Sequence, residues 1–437
     1  MPQDRLGLEL TAASPEAVEA LNAALFDFLE ARLSLGDRIK TALAADPDCV
    51  MALCFRGYFL MQLSSVATAG KVGEVLAQAK ERAGDATARE QKHVAALESW
   101  HAGRITRTRR LWEEILAEHP RDLLALRLHH FASFWQGDRE ALRDAPAAVL
   151  GQSDESMPGY GFVQGMFAFG LEENGDYGRA EEVSREAVAR NPDDLWALHS
   201  LAHILEMQCR HKEGASLLER PFGTWSDRNP FKDHVWWHRA LFLLELGEVE
   251  SMMEVYDREV RVKEGGFYLD VQNAASLLQR MELAGIDTQG RWEELADLAE
   301  SRLDDHVLPF TDAHFMLALV GGGRLEAARR YIESLQAFAA SGDSEAAQVT
   351  GRLTLPLAQA LLAYGEGRYG EAADGLYALR HELGPLGGSH AQQDVFQQLL
   401  IDAMMKAGQK ALARSLLHER RVLRPGSRWA EQRLAQL

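Results

Sequence analysis

The chain has 437 residues, 46% of them hydrophobic and 26% charged, with a formal net charge of −18. This composition supports a large buried core, while the acidic surface repels phosphate backbones and argues against a nucleic-acid partner. No stretch reaches the roughly 18 apolar residues needed to cross a bilayer, so a membrane is not expected as a partner either.

Met1-Pro2-Gln3-Asp4-Arg5 shows no basic start leading into an apolar run, which predicts no signal peptide and a cytoplasmic location. Cys49, Cys54 and Cys209 have spacings that match no metal or redox motif, and they read as reduced thiols. Ser14-Pro15-Glu16 supplies an N-cap followed by proline at the first helical position. Residues 1–46 are therefore expected to be N-terminal capping helices.

From there apolar residues recur at helical spacing, as in Leu111, Trp112, Ile115 and Leu116, and strand signals are nearly absent. A short motif repeats, with Gly followed five residues later by a small residue or Met: Gly175 with Ala180, Gly247 with Met252, Gly323 with Ala328, Gly367 with Ala372 and Gly408 with Ala413. Gly103 and Gly137 stand 34 residues apart, the tetratricopeptide period. Gly would end the first helix of each pair in a left-handed conformation, and the small residue would let the second helix cross closely. The expected fold is all-α: a tetratricopeptide-type solenoid of helix pairs, a right-handed superhelix curled around a central groove or pocket. Degenerate repeats span 47–413, and 414–437, with Arg420, Arg421, Arg424 and Arg428, reads as a polar C-terminal cap.

In such a stack the first helix of each pair lines the groove. Counting the terminal Gly as position 15, positions 5, 9 and 12 share one inward stripe. The stripe carries His93 in one unit, then Arg127, Phe131 and Phe134, then Gly165, Phe169 and Glu172. Cys209 takes the Gly place of the next unit, giving His199, His203 and Glu206, and Gly247 anchors Trp237, Leu241 and Leu244. Aromatic walls with a few placed polar groups suit a small ligand.

His199, His203 and Glu206 share one helix face, and three readings are open for them. As metal ligands they would grip zinc or iron, though the residue after His199 is Ser200 and not the glutamate of a zincin. As acid–base groups, His199 or His203 would be oriented by Glu206, which would raise its pKa. As structural or binding groups they would only satisfy hydrogen bonds.

Farther along, His234, Trp236, Trp237 and His238 open one helix, Asp270 begins another, and Asp312 and His314 begin a third. Ser389 and Gln392 form a capping box before His390 and Asp394. No GxSxG elbow, phosphate-binding loop or dinucleotide fingerprint is present.

The strings HSLAHILEMQ (His199 to Gln208), NPFKDHVWWHRAL (Asn229 to Leu241), DAHFMLALVGGGR (Asp312 to Arg324) and GGSHAQQDVF (Gly387 to Phe396) occur in this order, and with them the chain resembles the tetratricopeptide repeat protein 38 family. The resemblance implies a helical, cytosolic protein. It marks His199, His203, Glu206, Trp237, His238, Asp270, Asp312, His314, His390 and Asp394. Lys232-Asp233 departs from the family's pattern and leaves the role of His234 open.

These readings converge on a pocket that binds a small polar or aromatic molecule, or a peptide end. Arg127, Phe131, Phe169, Glu172, Trp237, His238, Asp270, Asp312 and His314 are the expected ligand-binding residues. A metal-independent hydrolase or lyase is the alternative, with His199 or His203 as base and Glu206, His390 and Asp394 as further catalytic candidates. Neither reading calls for a cofactor. A metalloenzyme with His199, His203 and Glu206 as ligands is the second alternative, and a homo-oligomer is compatible with all three.

Overall fold

A computed structural model describes residues 1–263 and 265–437, and in them 24 α-helices succeed one another. The only strand-like pairings among the described residues are isolated bridges between Gln3 and Glu9 and between Arg32 and Arg228. The fold class is the one expected: an all-α solenoid of tetratricopeptide-type helix pairs.

The two helices of a pair differ in sequence because they face different surroundings. Second helices are amphipathic; Ile105–Glu118 buries only Thr108, Trp112, Ile115 and Leu116. First helices are buried nearly all round, as in Leu195–Met207 and Tyr268–Leu283. They form an inner layer, and the second helices form an outer one. Every turn glycine of the repeat motif is left-handed, and Ala180, Met252, Ala328, Ala372 and Ala413 are all fully buried where the second helix crosses. Cys209, standing in for glycine, takes the same conformation at φ 55°.

The inner layer is covered because the solenoid returns upon itself. Arg32 pairs with Asp227, Val66 N–H donates to Asp305 at 3.1 Å, and Thr106 N–H donates to Glu345 at 3.0 Å. His390 N–H donates to Glu173 at 3.2 Å, and Arg428 N–H donates to Glu245 at 2.7 Å. These partners are separated by 183 to 239 residues, so one superhelical circuit uses about half the chain and the next lies directly on it. The C-terminal arginines correct one expectation. Arg420 and Arg424 do not form a solvated outer cap: they turn inward onto Asp394, and Trp429 Nε1 donates to Leu283 O at 3.2 Å.

Two turn glycines separate the local from the tertiary constraint. Gly137 (φ 66°) abuts the Gly384 carbonyl, which a β-carbon would overlap at 1.9 Å, whereas Gly175 (φ 80°) faces open space. Gly175→Ala should cost about 1–2 kcal/mol for the left-handed backbone alone. Gly137→Ala should cost clearly more, because it also forces the two circuits apart. Urea unfolding of both variants checks this, and equal losses would disprove the contact's importance.

Candidate metal centre

Asp194 caps the Leu195–Met207 helix, its Oδ1 accepting from the N–H groups of Trp196 at 2.9 Å and Ala197 at 3.2 Å. The i,i+4 spacing then stacks His199 and His203 on one face. The next inner-layer helix, Phe231–Leu246, carries His234 and His238 at the same spacing. The two pairs meet. Ring centroids lie 4.4 Å apart for His199–His203 and for His203–His238, and 5.0 Å apart for His199–His234. One ring nitrogen from each of the four buried histidines lies within 4.8 Å of the others.

The outer partners fix which nitrogens face inward. His238 Nδ1–H donates to Glu206 Oε2 at 2.8 Å, and His234 Nδ1–H donates to Asn273 Oδ1 at 2.7 Å. Each bond leaves Nε2 as the lone-pair nitrogen, and His238 Nε2 is buried without a hydrogen-bond partner. His199 Nε2 and His203 Nε2 stand 3.0 Å apart. Behind His203, Nδ1 lies 3.6 Å from Oε2 of the fully buried Glu172, whose two oxygens have no hydrogen-bond partner. The Glu206–His238 pair is of the kind that orients imidazoles toward metal ions.

Burial pushes the pKa values of His199 and His203 well below the ordinary 6.5, and the neighbouring imidazoles lower them further. His234 is lowered to about 3, first by burial and then by His238. These rings are neutral at pH 7, the form that ligates metals. The expectation that Glu206 would raise the pKa of His199 or His203 is corrected: Glu206 is spent on His238, and desolvation dominates the other two. Glu172 is raised well above 4.5 by burial and by Glu173 and Glu206.

Beside the histidines opens a cavity of about 270 Å³. His199 and His234 reach its wall, and Phe131, Phe134, Trp135, Trp196, Phe231 and Tyr268 supply much of the rest. Arg127 also lines it, its guanidinium 3.9 Å above the Trp196 ring. Phe169 and Trp237 pack on the histidines themselves: Phe169 stacks on His199 at 5.4 Å, and Trp237 on His234 at 5.1 Å. Trp237 is thus a buried wall of the cluster and not a free groove residue.

Other expected residues lie apart from the histidines. Asp394 is held by Arg420 and Arg424; burial alone would raise its pKa, but the two guanidiniums keep it far below the carboxylate range. That ion pair corrects its catalytic reading. Asp312 accepts from Tyr331 OH at 2.7 Å and faces His306, and His314 Nδ1–H donates to Phe310 O at 2.8 Å. Each spends one polar atom on these core contacts, Asp312 Oδ2 and His314 Nε2 staying without a partner, and neither lines the aromatic cavity, which corrects their placement in it. Asp270, raised to about 7 by burial and by Asp233, sits in the first turn of Tyr268–Leu283. His390 lies 3.6 Å from Glu173 and lines a second cavity with Arg139, Arg380 and Arg424. The residue that sequence reasoning left out of the cluster is His234. Its signal was present as a second His-x₃-His on the following inner helix.

Asp194 offers a test of how firmly the first histidine helix is seated. Burial raises its pKa to about 6 against an ordinary 3.8. The folded chain therefore holds an extra proton between these values, and stability falls as pH rises through that window. Asparagine caps as well as aspartate without this penalty. The stability of Asp194→Asn relative to the natural chain should improve from pH 4 to pH 7 by an amount on the order of 1–3 kcal/mol. Asp194→Ala should lose about 1 kcal/mol of capping. Urea titrations at the two pH values measure both effects.

No family model matches this chain. Among solved structures it is similar to a chain of the "Structure of Naa15/Naa10 bound to HypK-THB", at 10% identity with a TM-score of 0.25. That alignment covers 96% of this chain and 65% of the other, so the chain spans less than two thirds of the length of the protein it aligns with.

Proposed function

We propose that the chain binds one late first-row divalent metal ion through His199, His203, His234 and His238, and uses it on a small, largely apolar molecule lodged in the aromatic cavity. The observation that carries this reading is the convergence of four buried imidazoles from two helices, two of them held from behind by Glu206 and Asn273. This set replaces the ligand trio drawn from one helix: Glu206 belongs behind His238 and His234 takes its place. Imidazole ligands suit zinc, iron, copper and nickel.

The four imidazoles could hold an ion between the two helices, in place of the contact between His199 Nε2 and His203 Nε2. Because His199 and His234 also line the cavity, any coordination position open toward it would meet the bound molecule. The ion would supply Lewis-acid or redox chemistry; the chain's own residues orient the ligands, exclude water and grip the molecule. Strongly lowered pKa values of His199 and His203 speak against the metal-free general-base reading, which needs a base titrating near neutrality.

Protein purified without chelator, or reconstituted with zinc(II), iron(II), nickel(II) or copper(II) and then desalted, should hold about one ion per chain by elemental analysis. His203→Ala and His238→Ala should lose it, and Glu206→Gln should weaken binding about 10–100-fold, as outer-shell substitutions do. Metal content far below one equivalent in the reconstituted natural chain, or unchanged content in His203→Ala, would overturn the reading.

A further inference from the structure

The aromatic cavity has a charge that neither the fold nor the histidines explain. Arg127 projects from Leu123–Gln136, an inner-layer helix one pair away from the helix preceding the histidines. It is half-buried on the cavity wall, and desolvation lowers its pKa to about 10, a value at which it keeps its proton at pH 7. Its guanidinium stacks on Trp196, whose indole in turn packs on His199 at 5.1 Å. Asp194 is the carboxylate felt most strongly by Arg127, yet Asp194 is engaged in capping its own helix and forms no ion pair with Arg127 within 4.0 Å among the described residues. No carboxylate lines the cavity.

Most of the buried arginines elsewhere in this chain have partners. Arg89 bonds Asp122 at 2.7 Å, Arg420 and Arg424 share Asp394, and Arg280 donates to Ala391 O at 2.7 Å. A partly desolvated cation with no carboxylate opposite it is free to take a bound anion as its partner. A planar guanidinium backed by an indole presents its fork to a carboxylate in bidentate fashion.

We propose that Arg127 is the anion-recognition residue of the cavity and that the molecule bound there is an aromatic or otherwise apolar monocarboxylate, its carboxylate on Arg127 and its body against the rings leading to His199 and His234. The single positive charge sets the preference for a monoanion. A phosphate dianion would bring a second charge with no second cation on the cavity wall. Trp196 couples the two ends: it supports the guanidinium on one side and abuts a proposed metal ligand on the other. The inference deepens the reading above, because it names the substrate class for the same cavity, but it does not need the ion to be present.

The experiment uses the full chain after dialysis against a chelator, so that it is read independently of metal content. Phenylacetate and indole-3-acetate are titrated calorimetrically beside their neutral amides and beside phenyl phosphate. Each acid is expected to bind at least tenfold more tightly than its amide and more tightly than phenyl phosphate. Arg127→Met should abolish the difference between acid and amide while leaving amide binding in place, and Arg127→Lys should retain part of it. Equal affinity of acid and amide in the natural chain would overturn the proposal. So would a stronger hold on phenyl phosphate, an acid preference that survives in folded Arg127→Met, or no saturable binding by either acid. Should Arg127→Met fail to fold, the comparison of acid, amide and phosphate on the natural chain decides alone. A metal-free chain that prefers acids would leave this inference standing even if the metal reading fell. A metal-loaded chain indifferent to charge would do the reverse.

Discussion

Covering the inner helix layer with the chain's own second circuit is the constraint from which the site follows. An open solenoid leaves its concave face in water, where a stray histidine or glutamate costs nothing. Here contacts such as Thr106 with Glu345 and Gly137 against Gly384 seat one circuit on the next. Inner-layer polar groups thus enter a medium in which each unpaired donor or acceptor costs on the order of 1–3 kcal/mol. Most inner-layer polar side chains meet that demand locally. Asp312 has Tyr331 and His306, Asp394 has two arginines, and Asp122 has Arg89 and His93.

Against that background the unpaired atoms carry information. Buried atoms without partners occur elsewhere too, as at His130, Asp312 and His314, but His199 Nδ1, His203 Nδ1, His238 Nε2, Trp237 Nε1 and both oxygens of Glu172 gather around one cluster. A stability argument alone would replace them with leucine and phenylalanine. Four imidazoles crowded together among aromatic rings make an expensive hydrophobic core, whereas an ion would give His238 Nε2 the partner it lacks and replace the Nε2–Nε2 contact of His199 and His203.

The fold was legible in the sequence because its rules are local. A left-handed turn residue, a small residue five positions on and apolar stripes at helical spacing each act within one pair, and the 34-residue interval counts the pairs. Even the substitution of Cys209 for glycine was readable from register. The site was legible in part. Counting positions placed His199, His203, Glu172 and Phe169 on one stripe, because that stripe is also a local property. It could not place His234, which stands one turn ahead of the counted positions on a neighbouring helix, nor show that Glu206 reaches across to His238. Those facts depend on the angle between consecutive pairs. It also could not show that Asp312 and Asp394 find partners on adjacent helices, which depends on packing between successive helices and on the inward turn of the C-terminal arginines.

The two cavities differ in a way that bears on how a molecule would approach the histidines. The aromatic one holds Arg127 as its single fixed charge, whereas the one at His390 is walled by Arg139, Arg380, Arg420 and Arg424. An apolar acid meets aromatic walls and a cation without an ion pair only in the first; in the second the guanidiniums are already engaged, Arg420 and Arg424 by Asp394 and Arg380 by Glu419. His199 and His234 face the aromatic cavity, and none of the four histidines lines the second. The cavity that meets the histidine cluster is thus the one whose rings and lone cation match an apolar anion.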